Sequence, residues 1–242
     1  MNRITKVTAG LATTAVALLG VSGTALAATS PAPAVSPAPS HAPQTLAAIK
    51  AKAAADIARR LASLSVAIND VTNSTAISAG DKTTLLATLN ADVTGLTALG
   101  TTIANDTTVQ QALADSKTIF TGFRVYALAL PQVHFAAAAD TITVTVLPKL
   151  TDAQSKLAAL LAGPDSGKNT PAVQALMANL GNQITAITSE TSGLSATVLA
   201  YTPAQYDANH ALLSPARASL AISRDDIRTA RSDIATVVAD LK

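Results

Sequence analysis

The chain has 242 residues, of which 49% are hydrophobic, 13% charged and only 2% aromatic, with no cysteine and no tryptophan. Without cysteine there is no disulfide framework, no thiolate metal site and no cysteine nucleophile, so the fold has to hold by packing alone. The formal charge is +2 from 17 Lys and Arg against 15 Asp and Glu; Arg3 and Lys6 supply that excess, so from residue 28 onward the charges balance and no basic footprint for nucleic acid remains.

At the N-terminus, Arg3 and Lys6 precede the apolar stretch VTAGLATTAVALLGVSGTALA, and Ala25-Leu26-Ala27 fits the small-residue pattern at which signal peptidases cut. Residues 1–27 read as a signal peptide, which predicts a secreted protein, extracellular or associated with the cell envelope. The sequence ATSPAPAVSPAPSHAP, residues 28–43, reads as a disordered Pro/Ala/Ser-rich linker, because proline blocks helix interiors and favours extended backbone. Polar or charged residues interrupt every later apolar run, so no transmembrane segment is predicted in the mature chain.

Residues 44–242 are predicted to form one all-helical domain. Ile57, Leu61, Leu64, Ile68 and Val71 recur at spacings of three and four, and Leu85, Leu89, Leu96, Leu99 and Ile103 do the same with Asp92 in the missing step. Val173, Met177, Leu180, Ile184, Ile187, Thr191, Leu194 and Val198 make a third stripe. The last runs Leu213, Ala216, Leu220, Ser223, Ile227, Ala230, Ile234, Val237, Leu241, a heptad seam of bundle or coiled-coil geometry. Capping boxes are expected at Ser78–Asp81 and Thr202–Gln205, with further helix starts at Thr170-Pro171 and Ser214-Pro215. The expected architecture is an elongated, coiled-coil-like array of about five to six helices.

Two stretches depart from this period. RVYALALP alternates as a strand does, and TITVTV (141–146) is β-branched throughout; isolated strands have no partners in such a chain, so the latter is read as helical. Pro148 is expected to kink or break that helix.

Sites for chemistry are sparse. AGPDSGKNT (162–170) resembles a phosphate-binding loop, but it follows a helix and carries Asn169 where magnesium needs a hydroxyl, so it reads as a turn between helices. Asp207 and His210 share a spacing used in di-metal bundles, yet such sites need several glutamates and the chain has only Glu190. His134 and Met177 as haem ligands have no other support. No G-x-S-x-G elbow is present, and the reading is of a protein that is not an enzyme and takes no cofactor or metal. Arg59-Arg60 and the stretch Arg217 to Arg231, interleaved with Asp225, Asp226 and Asp233, read as solvated helix faces.

The segment FTGFRVYALALPQVHF holds four of the six aromatic residues. Phe120, Phe123, Arg124, Tyr126 and Phe135 are the candidate contacts for a partner or ligand, since aromatics and arginine dominate interface hot spots; the competing reading is large rings filling a helix crossing. With FRVYALALPQVHFAAAAD and SPARASLAISRDDIRTARSDI, the chain resembles a group of uncharacterised secreted Ala/Thr-rich helical proteins of high-GC Gram-positive bacteria. The resemblance implies export and an elongated helical structure, and no site residue follows from it. The function expected is that of a non-enzymatic structural or interaction protein, self-associating or binding an envelope protein through its helix faces. The alternative is a helical binding module for a small apolar or glycan ligand around residues 120–135.

Overall fold

The computed structural model describes residues 44–242, and all regular structure in them is helical. The predicted signal peptide and linker lie outside the described residues. In chain order come α1 (Leu46–Asn73), α2 (Ala79–Asn105) and α3 (Val109–Thr121), then a π-helical segment, Val125–Ala129, leading into α4 (Leu130–Asp140). A second π segment, Thr141–Val146, leads into α5 (Leu147–Ala162). A 3-10 turn, Ser166–Lys168, precedes α6 (Pro171–Thr191), the short α7 (Leu194–Leu199) and α8 (Pro203–Ala208), and α9 (Ser214–Asp240). Since Val125 to Ala162 is unbroken helix, the described residues form an all-α bundle of six long rods and two short helices.

Local chemistry explains most of the boundaries. Thr45, Ser78, Thr108, Thr170 and Thr202 each accept a backbone N–H at a helix start, and Thr108–Gln111 and Thr202–Gln205 are complete capping boxes. The box expected at Ser78 is only half present: Ser78 Oγ accepts from Asp81 N at 3.2 Å, but the return bond comes from elsewhere in the chain. At α9 the first residue is Ser214 itself, and no side chain caps it. Many threonines sit inside helices because their hydroxyls donate back one turn, as Thr97 does to the Val93 carbonyl at 2.7 Å.

Three expectations change in the structure. RVYALALP is neither extended nor a break: Val125–Ala129 is a π turn whose last bond runs from Leu130 N to Val125 O. TITVTV is helical as read, but again wide-turned, with Leu147 N reaching Ile142 O. Each π segment ends two residues before a proline, Pro131 or Pro148, and the wider turn moves the carbonyl that the ring would crowd, so Pro148 does not end the helix. Third, the stripe 173–198 is not one helix. Gly193 at φ 68 separates α6 from α7, a left-handed conformation that residues with a Cβ avoid.

Two cores lie along the long Val125–Ala162 helix. In the first, Leu64 and Val71 of α1 meet Leu89 and Leu96 of α2, Ile119 of α3, and Val125 and Ala136. In the second, Leu150 and Leu157 of α5 meet Leu180 and Ile187 of α6 and Leu220, Ala230 and Val237 of α9. The α9 seam is spent inside the chain, because every seam residue from Leu213 to Val237 is buried, chiefly against α6. Between the cores, Gln132 donates to the carbonyls of Val198 and Tyr201 at 2.8 and 2.9 Å, satisfying the end of α7. Among the described residues, no helix is long and apolar enough to cross a membrane.

Candidate functional site

The five candidate residues of 120–135 do not form one site. Phe123 turns inward onto Gly95 of α2 and packs on the first core, while Phe135 packs on the second core and on the small cluster around Leu128 and Val198. Arg124 occupies the left-handed region at φ 47 in the turn between α3 and α4, where its carbonyl accepts from the N–H groups of Ala127, Leu128 and Ala129. Its guanidinium pairs with Asp207 of α8 and lies over the Tyr206 ring. Phe120 and Tyr126 remain outward, 41% and 49% exposed.

What joins these two rings is Arg60 of α1. Its guanidinium carbon lies 4.4 Å from the Phe120 ring centre and 5.2 Å from that of Tyr126. Arg60 is only 7% exposed, so the reading of Arg59-Arg60 as a solvated face holds for Arg59 alone, and Asp233 likewise leaves the solvated face of α9, buried where it accepts from Asn179. A cation between two aromatic faces is attracted by the ring quadrupoles and loses little packing by its charge. Tyr126 is fixed in turn by a 3.2 Å hydrogen bond shared with Ser63.

The signal for Arg60 was present but lay one register away. Ile49, Ala53, Asp56, Arg60, Leu64, Ala67 and Val71 are all buried and follow the same three-and-four spacing, with two ionisable residues in the seam. A hydrophobicity pattern skips such members by construction. Their burial is possible because of their partners. Arg60 donates to the Asp56 carbonyl at 2.9 Å, and the Asp56 carboxylate takes Lys52 at 3.0 Å and Arg59. Burial pushes the Asp56 carboxyl up, but the hydrogen bonds and charges of Lys52 and Arg59 outweigh it and hold the group below the ordinary carboxylate range. Among the described residues, Arg60 has no carboxylate of its own.

Two shallow grooves flank this point along α1. The first, of about 330 Å³, lies between the start of α1 and α3; its walls include Ile49, Lys52, Asp56, Leu113, Ser116 and Phe120. Ser116 Oγ is enclosed there without a hydrogen-bond partner. The second lies between α1 and α4, with Val66, Asp70 and His134 on its rim. His134 thus sits on an exposed face inside the long helix.

α3 explains why the first groove has an apolar wall. Its buried face is Ala112 and Ile119, against α1 and α2, yet Val109, Leu113 and Phe120 form a second stripe that stays exposed, Leu113 at 46%. A helix that is apolar on two sides buries one and offers the other.

The remaining pairs singled out in the sequence resolve as local packing. His210 lies beyond the end of α8, so it shares no helix face with Asp207; it meets Tyr206 edge-on at 5.2 Å. AGPDSGKNT is the α5–α6 connection, and Lys168 donates to the Leu241 carbonyl near the end of α9. Among the described residues, no three His, Cys, Asp or Glu side chains converge as metal ligands. Comparison with family models, curated proteins and solved structures finds no match.

Proposed function

We propose that this is a secreted or envelope-associated, non-enzymatic interaction protein that works by presenting helix faces to a partner, and that the α1–α3 groove is the face it presents. One observation carries the reading: a second apolar stripe on α3 stays exposed beside a groove lined by Phe120, the ring that shares Arg60 with Tyr126. Clusters of this composition, a pre-ordered arginine and rings beside apolar wall, are what interfaces concentrate their energy in. Self-association would have to use this or another outer face, since the α9 seam is already occupied by α6. The other reading, a module for a small apolar or glycan ligand, would rest on Phe120 and Tyr126 alone, as Phe123 and Phe135 face the cores.

The test is a photo-crosslinking amino acid at Leu113, with Ile222 on the exposed side of α9 as the control position. In the secreting culture, position 113 is expected to give a discrete protein adduct and position 222 none. Equal labelling from both positions, or none from 113, removes the α1–α3 face as the working surface.

A further inference from the structure

Resting on that reading, we propose that the α1–α3 groove takes an acidic amphipathic helix from a partner protein, its apolar side on Val109, Leu113 and Phe120 and a carboxylate at the Lys52–Arg60 end. The charge arrangement favours an anion. Lys52 and Arg59 share the single carboxylate of Asp56 and Arg60 bonds its backbone carbonyl, so three cations stand against one anion around Asp56, which with Lys52 lines the groove. Lys52 and Arg60 both flank the Phe120 ring, at 5.9 and 4.4 Å from its centre. Arg60 spends one bond on the Asp56 carbonyl, out of the five N–H donors that a guanidinium carries. A guanidinium already ordered between two rings loses little further freedom when a carboxylate binds it.

The apolar wall sets the length and form of the guest. The exposed stripe from Val109 to Phe120 covers 12 residues of α3, about 16 Å end to end, which matches roughly three turns of a second helix. Val109, Leu113, Ser116 and Phe120 are spaced four, three and four, the comb into which a helix with the same period fits.

The experiment displays a library of randomised 16-residue helical peptides to the whole protein purified from culture, then measures the enriched peptides by fluorescence anisotropy. Enrichment of Asp or Glu beside apolar residues at helical spacing is expected, with affinity falling as salt rises. Leu113→Glu, at a half-exposed position, is expected to weaken binding at least tenfold while leaving the thermal melt unchanged; Lys52→Gln, which also removes support from the buried Asp56 carboxylate, is expected to weaken binding at least tenfold in protein that still melts cooperatively, and Arg60→Met should do the same. Peptides without acidic excess, or peptides that bind Leu113→Glu and Lys52→Gln as well as wild type, overturn the proposal. So does Lys52-dependent binding to phosphatidylglycerol vesicles without peptide selection, which would make a lipid headgroup the anion. Likewise, a concentration-dependent doubling of mass abolished by Leu113→Glu would make a second copy the guest. If no peptide is enriched although position 113 still crosslinks a protein, the acidic helix falls and the interaction reading stands; if position 113 is also silent, both fall.

Discussion

The backbone N–H of Ser78 donates to the carboxylate of Asp140 across 2.7 Å, tying the start of α2 to the end of α4, 62 residues away. Asp81, the residue placed to return the cap, is instead bonded by Ser195 of α7. Three helices therefore meet through two carboxyl groups where local rules alone would put one capping box.

Asp140 makes stability depend on pH. Burial, and then the neighbouring charge of Asp81, raises its carboxyl, despite the opposing bond from Ser78. A raised carboxyl is more readily protonated folded than unfolded, so its contribution is complete below the ordinary carboxylate pKa and is lost as pH rises through the raised one. The thermal midpoint is expected to fall as pH climbs through that range, measured from about pH 4 to 8. Asp140→Asn keeps an acceptor for Ser78 without the charge and should flatten this fall and be the more stable protein at neutral pH. Asp140→Ala leaves the part-buried Ser78 N–H without its acceptor and should cost about 1 kcal/mol.

Asp92, in the missing step of the α2 stripe, is half-buried, and loss of solvent pushes its carboxyl up to about 6. The sign is the same: the protonated form favours the fold, and that advantage disappears as pH rises through about 6. Partial exposure screens the effect, so Asp92→Asn is expected to gain about 1 kcal/mol at neutral pH. Carbon-detected NMR titration of the Asp92 carboxyl checks the midpoint; a midpoint near 4, the unperturbed value, would remove the basis for the gain.

Gly95 leaves room for Phe123. A Cβ there would stand 2.5 Å from Phe123 Cε1 and 2.9 Å from Cζ. Overpacking typically costs about 1–3 kcal/mol, against about 1 kcal/mol gained from alanine's better helix propensity. Gly95→Ala is expected to destabilise by about 1 kcal/mol in urea unfolding, and Phe123→Leu to remove most of that penalty. Gly80→Ala, where nothing lies within 4 Å of the added carbon, should be neutral or slightly stabilising.

Arg60 and Phe120 should be energetically coupled. A double-mutant cycle of Arg60→Met and Phe120→Leu, read by urea unfolding, is expected to give a coupling of about 0.5–2 kcal/mol, as for a cation largely withdrawn from water. Arg60→Lys should not restore it, because an ammonium cannot stack flat on two rings. A coupling indistinguishable from zero would mean that the rings only cover the arginine.

The helical stripes of α1, α2, α6 and α9, the starts at Ser78, Thr170 and Thr202, and the membership of the α9 seam were legible because each depends on residues within one or two turns. Periodicity and caps are local, and all-α architecture follows from them. Tertiary structure decided how residues far apart in the chain were shared. Phe123 went inward because Gly95 vacates its place on another helix, Arg124 turned to Asp207, and Arg60 became the centre of the aromatic pair because α3 and the Val125–Ala129 turn bring rings to both its sides. Hydrophobic spacing records which side of a helix avoids water, but a buried charge follows that spacing only when distant partners replace its water, and those partners are chosen by the packing of the whole chain.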